Sequence, residues 1–252
     1  MSFFFFKRNT VVLDCFTDNQ ALRDLYYIDY GNKFYPSWWK QLPKEYVSKK
    51  SILQTKVTTM KGCMGLIEYF KNSIAVPLWS DYQIRVGSLT APSIMFQPAG
   101  PWGATHHEHE QWGSYLPPTK YGQLKLDAPW RLRTKDLVQF AFSNPFYTNY
   151  SPQDYLFCPG ILDFKYQNSV NVNMMFDYRE DIRTVLLKAG DPIAMLIPLT
   201  DKEVKIKLHL VDKKELDNIN VPPLTFNGHY KFTKNLVDNQ EKAKCPLGFG
   251  RR

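Results

Sequence analysis

Short alternations of apolar and polar side chains recur along this chain, each interrupted after a few residues by a turn-forming residue. The cleanest is Val204-Lys205-Ile206-Lys207-Leu208-His209-Leu210, in which every second residue is apolar. A period of two puts one set of side chains on a core face and the other toward water. Seventeen prolines are scattered along the chain rather than gathered in one tract. Proline donates no backbone hydrogen bond and fixes φ, so within sheets it is confined to strand ends, edges and turns. Together these features predict many short strands joined by turns, with few helices.

The strand-like segments are Val11 to Phe16, Ser73 to Trp79, Tyr82 to Val86, Ser93 to Gln97, Leu124 to Leu126, Trp130 to Arg133 and Leu137 to Phe142. Val170 to Met174, Thr184 to Leu187, Ile193 to Pro198 and Val204 to Leu210 continue the series. Gly62 to Asn72 is the best early helix, with Met64, Ile67 and Tyr69–Phe70 on one side. Pro36 and Pro43 confine the segment between them to a loop or a short helical turn, and its Trp38 and Trp39 read as core. A further short helix is expected near Asn235 to Ala243.

The chain has 252 residues, 44% hydrophobic, 15% aromatic and 22% charged. That balance is globular, and large rings supply enough burial for a substantial core. One domain spanning 1–252 is expected. It divides into a β-rich N-terminal extension to about residue 120, a β core over about 121–212 and a wrapping segment over 213–252. No apolar run approaches the roughly 20 residues of a spanning helix, so no membrane partner is expected. The phenylalanine run at residues 3–6 precedes Lys7 and Arg8, the reverse of a secretory signal, and reads as a first strand or an anchoring arm.

Cys15, Cys63, Cys158 and Cys245 are far apart and form no C-x-x-C pair, so neither a disulfide scaffold nor a cysteine metal site is expected. The net charge of +8 tolerates polyanions. The lysines are dispersed, however, and no segment interleaves arginines with exposed aromatics well enough to form a nucleic-acid face, so specific nucleic-acid binding is not expected.

Two constellations carry potential chemistry. Three of the five histidines, His106, His107 and His109, fall within Thr105-His106-His107-Glu108-His109-Glu110. On a strand, His107 and His109 would share a face, and with a third ligand would suit Fe2+ or Zn2+. The H-x-H of cupins is similar, but their next glutamate is replaced by Gly113 and a second motif is missing. A solvated polar loop is the alternative.

The second constellation is Pro159-Gly160-Ile161-Leu162-Asp163-Phe164-Lys165-Tyr166 followed by Ala189-Gly190-Asp191-Pro192-Ile193-Ala194-Met195-Leu196-Ile197. The pair resembles the G-x-x-D-x-x-Y turn and G-D-x-I-A-Q-L-I strand of the trimeric dUTPase and dCTP deaminase superfamily, over residues 124–200. The resemblance implies a β-clip fold in the C-terminal half, with Asp163 activating the hydrolytic water and Tyr166 stacking beneath a deoxyribose. It also implies Mg2+, a deoxynucleotide, a sheet edge suited to a trimer, and closure of a C-terminal arm containing Phe249 and Gly250 over the base. Against activity, the magnesium-proximal D-L motif is missing. Phe142-Ser143-Asn144-Pro145 replaces the phosphate turn, and Met195 replaces the glutamine. Without a phosphate cradle the reaction loses its main electrostatic stabilisation. The alternative is that Gly160 and Gly190 serve turns, Asp163 caps one, and Ile193 to Ile197 is core.

The whole chain also resembles an uncharacterised family of T4-like cyanophages and some bacteria. The resemblance rests on Pro36 to Pro43, Met60-Lys61-Gly62-Cys63, Val76 to Tyr82, Leu126-Asp127-Ala128-Pro129-Trp130 and the two motifs above. It implies a viral origin, in a virion or in the cytoplasm of an infected host, and no assigned activity. The leading expectation is a mainly β protein without catalytic activity or cofactor, which binds a protein partner or assembles with itself. A dUTPase-like hydrolase or deaminase and a histidine-centred metal enzyme are the alternatives.

Overall fold

The computed structural model describes residues 9–50, 55–145, 147, 154–219 and 229–243. The phenylalanine run at 3–6, Cys245, Phe249 and Gly250 lie outside the described residues. In chain order the first half contains β1 (Thr10–Thr17), α1 (Gln20–Leu25), β2 (Asp29–Tyr30), α2 (Ser37–Gln41), β3 (Glu45–Val47), β4 (Lys56–Thr58), α3 (Met64–Lys71), β5 (Ile74–Pro77), β6 (Tyr82–Val86), β7 (Ile94–Pro98) and β8 (Ala104–Thr105). The second half contains β9 (Tyr121–Leu126), β10 (Arg131–Arg133), β11 (Gln139–Ser143), β12 (Leu156–Phe157), β13 (Gly160–Asp163), β14 (Val172–Asp177), β15 (Arg183–Leu187), β16 (Pro192–Pro198), β17 (Glu203–Leu210), α4 (Lys213–Ile219) and α5 (His229–Ala243). The fold is mainly β, as the alternation predicts. Its strands form four sheets and a ribbon: β10-β1-β17, β13-β11-β16-β5-β2, β12-β14-β9-β8, β15-β6-β7 and the ribbon β3-β4.

The stretch read as an N-terminal extension is woven through these sheets. β1 pairs antiparallel with β10 and parallel with β17, the latter from Thr10 opposite Glu203 to Thr17 opposite Leu210. β5 pairs with β16, and β6 with β15. Proline obeys its constraint: Pro77 and Pro98 end β5 and β7, and Pro192 and Pro198 bound β16.

The apolar faces meet in one main cluster containing Leu13, Trp79, Trp130, Phe140, Phe164 and Phe176, all essentially unexposed. Within it the Trp79 indole donates to the Tyr82 hydroxyl at 2.9 Å, which donates to the Trp102 carbonyl at 3.0 Å. Burial pushes the Tyr82 phenol up to about 12, although the Trp79 hydrogen bond opposes the rise. A smaller cluster joins Trp39, Leu66 and Phe70. Trp39 is core, whereas Trp38 stays 38% exposed and donates its indole N–H to the Tyr147 carbonyl. In α3 the buried face is Leu66 and Phe70, one turn apart, while Met64 points to solvent.

Two contacts join neighbouring sheets. A Cβ at Gly122 of β9 would overlap Ile94 of β7 and the Tyr178 hydroxyl, so only glycine allows that approach. At the end of β14, Asp177 accepts from Arg183 of β15 at 2.7 Å and from Arg179 at 2.9 Å. Partial burial works against the Asp177 charge. The Arg179 hydrogen bond and the Arg183 and Arg179 charges nonetheless outweigh it and hold the carboxyl below its usual range.

Gly122→Ala is expected to destabilise the protein by about 1–3 kcal/mol through overpacking, and Leu13→Ala by about 2–5 kcal/mol through a cavity, both read from urea unfolding midpoints. Because the folded Asp177 has a lowered pKa, its contribution is present above the unfolded carboxylate pKa and is lost as pH falls through the folded value. Asp177→Asn should therefore be less stable than wild type at neutral pH, with the gap closing in acid. A gap that stays constant with pH would contradict this.

Candidate functional site

Asp163 ends β13 and is 9% exposed. Its Oδ1 accepts the Lys165 N–H at 3.1 Å, and its carbonyl accepts the N–H groups of Tyr166 at 3.0 Å and Gln167 at 2.9 Å. This is the self-capping an aspartate provides at a tight turn. Tyr166 is buried, and its hydroxyl donates to Asp238 of α5 at 2.8 Å. The ammonium groups of Lys165 and Lys234 each lie 5.5 Å from its ring centre, and Lys165 is 3.8 Å from Asp238. Helix α5 thus engages the ring that the dUTPase resemblance places under a sugar. Gly190 has φ +86° in the turn entering β16, and Ile193 to Leu196 are buried. Asp163, Gly190 and Ile193 to Leu196 fit the turn-and-core alternative, whereas Gly160 opens β13 opposite Phe142 rather than serving a turn, and Ile197 is half-buried. The two motif strands, β13 and β16, nevertheless flank β11 in one sheet.

The three histidines do not converge. His106 Nδ1 lies 2.6 Å from the Gln123 carbonyl, and His107 Nδ1 lies 2.8 Å from Gln111 Oε1. Both acceptors lack a proton, so each Nδ1 carries the hydrogen. His109 opens a 3-10 turn, His109–Trp112, instead of continuing a strand with His107. A cavity of about 360 Å3 is edged by all three together with Gly122, Gln123 and Tyr178. No group of three His, Cys, Asp or Glu side chains is placed to hold a metal among the described residues.

A larger groove, about 710 Å3, opens on the sheet β12-β14-β9-β8. Its floor follows from the alternation in β14. Val172, Met174 and Phe176 are fully buried, so Asn171, Asn173 and Met175 face the other way. In register, Lys125 of β9 stands opposite Asn173, and Gln123 opposite Met175. One wall is the segment after β8, where Gly113 at φ +54° lets the chain turn and bring Trp112 and Tyr115 to the groove. The facing wall comes from Leu156 to Gly160 and from Gln167.

Asn173 of this groove is oriented by a relay. The His107 backbone N–H donates to Gln123 Oε1 at 2.7 Å, and Gln123 Nε2 donates to Asn173 Oδ1 at 3.2 Å. Gln123 is 6% exposed, so this amide sits in a dry position where hydrogen bonds hold orientation firmly. Asn173 is thereby left with two N–H donors to offer. Asn171 and Gln167 make no side-chain hydrogen bond among the described residues. The Trp112 indole N–H is buried without a partner. Among the described residues the lining contains no carboxylate, and its one lysine, Lys125, is 3.7 Å from Asp127. Such a site can bind a neutral polar ligand, but it holds neither a general-base carboxylate nor a cationic phosphate cradle.

Its one thiol is also quiet. Burial pushes Cys158 up to about 11. Sequence reasoning overlooked the groove residues Trp112, Tyr115, Gln123, Gln167, Asn171 and Asn173. The available signal was Asn173 at an outward position of β14, where that residue type is disfavoured, with a second asparagine, Asn171, just before the strand.

The raised thiol pKa gives a direct test. Alkylation of Cys158 by iodoacetamide, followed by peptide mass spectrometry, should be slow at neutral pH and rise about tenfold per pH unit until the pH nears 11. Rapid labelling at neutral pH would contradict the groove's described burial.

No protein-family model matches the chain, and no curated protein matches it.

Proposed function

We propose that this chain is a β-rich binding protein without catalytic activity, and that the groove on the β12-β14-β9-β8 sheet is where it binds. The observation that carries the reading is the contrast between two sets of residues. The groups capable of chemistry are spent on structure: Asp163 on its turn, Tyr166 on Asp238, and His106 and His107 on local hydrogen bonds. In the groove, by contrast, Asn173 is oriented by Gln123 with its N–H groups uncommitted, and Asn171 and Gln167 make no side-chain hydrogen bond among the described residues. A pre-oriented amide and two uncommitted ones beside apolar rings are what a ligand pocket needs. The phage-family resemblance sets the proposal in a virion or an infected cell, where a protein partner or a second copy can also meet the exposed sheets. Peptides of the chain in purified particles, or a partner retained in a pulldown, would support that setting. Absence from both would count against it.

The second reading is a dUTPase-like hydrolase. It is favoured by one observation, that β13 and β16 lie on either side of β11 as one unit. The two readings separate on Asp163. On the binding reading, the wild type does not turn over dUTP or dCTP with Mg2+, and Asp163→Asn keeps its stability because the amide oxygen still accepts from Lys165. Asp163→Ala should lose about 1 kcal/mol, measured by thermal unfolding. Turnover by the wild type that Asp163→Asn abolishes would establish the hydrolase instead.

A further inference from the structure

We infer that the groove takes a neutral oligosaccharide, an inference that rests on the groove being the binding site. Its chemistry narrows the ligand step by step. A cationic ligand would need a carboxylate, and the lining has none among the described residues. A phosphorylated or carboxylated ligand would need free cations. The one lysine, Lys125, already faces Asp127.

What remains is a set of neutral groups with both signs of hydrogen bonding. Asn173 offers its two N–H donors, while the relay from Gln123 takes one of the two lone pairs of its oxygen. With the hydrogen on Nδ1 against Gln111, the Nε2 of a neutral His107 ring is an acceptor. The amides of Asn171 and Gln167 each offer a donor and an acceptor in one plane. A ring hydroxyl is also a donor and an acceptor, so one planar amide can serve two adjacent hydroxyls. Trp112 and Tyr115 supply apolar ring faces, and Tyr115 is 79% exposed. The C–H face of a pyranose is the apolar surface that packs on such rings while its hydroxyls reach the amides. The volume of about 710 Å3 falls within the roughly 300–1,000 Å3 of ligand pockets and leaves room for more than one sugar unit.

A neutral peptide would also satisfy amides, and one common mode of peptide binding is main-chain pairing along an open sheet edge. The groove's floor is β14, paired with β12 on one side and β9 on the other, so its backbone is already engaged. Recognition there falls to side-chain amides and rings, which favours the saccharide.

The test uses the purified full chain on a printed array of neutral and acidic oligosaccharides, beside an array of neutral peptides. Hits are then titrated by calorimetry against wild type and Asn171→Ala, Asn173→Ala and Trp112→Ala, with melting temperatures confirming that each variant is folded. A neutral oligosaccharide should bind, and each variant should weaken it by about tenfold or more. The affinity should hold when salt is raised to about 0.5 M, because no ion pair is involved. Binding confined to acidic sugars, or sugar binding indifferent to all three variants, would overturn the inference. Peptide binding that depends on Asn173 would overturn the saccharide and keep the groove. No ligand on either array would overturn both.

Discussion

The parallel ladder between β1 and β17 is the constraint on which the rest of the fold depends. It runs for eight registered pairs and joins the first described strand to the last. β1 must also accept β10 on its other side, so its backbone is committed on both edges. Val11, Leu13 and Cys15 then point inward with no exposure, and a shift of one residue would turn all three to solvent. Such pairing is entropically costly to close, because nearly the whole chain lies between its partners. The pairings of β5 with β16 and β6 with β15 repeat the arrangement, so the two halves of the chain are mutually dependent. A fold dominated by contacts this distant in sequence is expected to form slowly.

The groove inherits its geometry from that frame. β14 is held between β12 and β9, and its inner face is anchored by Val172, Met174 and Phe176 in the main core. Anchoring one face sets the outward direction of Asn171 and Asn173, because successive side chains on a strand alternate. The buried Gln123 links the floor to the segment carrying His107, Trp112 and Tyr115. A rigid sheet therefore presents the amides, and a connecting segment presents the rings. This division is common in binding proteins, where loops adapt and scaffolds orient.

The residues with the most chemical potential have taken structural roles. Asp163 stands at the position the dUTPase resemblance assigns to a general base, yet it closes its own turn. Tyr166 is where a sugar-stacking ring would be, and α5 reaches it through Asp238 and Lys234. The histidine run is dense in sequence and edges one cavity, yet its members are not placed to hold a metal among the described residues, because the strand ends at Thr105 and a 3-10 turn begins at His109. Spacing along a sequence brings side chains to one face only while the local geometry persists.

The mainly β character, most strand positions and the places of proline were legible in the sequence, because strand periodicity and turn chemistry are local. The helix over Met64–Lys71 was legible too, although its buried face was Leu66 and Phe70 rather than a side including Met64. Two helices were overlooked despite local caps: Asn19 accepts the Leu22 N–H before α1, and Asp212 accepts the Glu215 N–H before α4. Strand partnership was not legible. Nothing in Thr10–Thr17 specifies Glu203–Leu210 as its neighbour, since pairing depends on which faces can share a core. The groove was hidden for the same reason. Its asparagines, its rings and the glutamine between them are ordinary surface residues in sequence. Only the packing of β14 against the core, and the turn at Gly113, bring them together as one site.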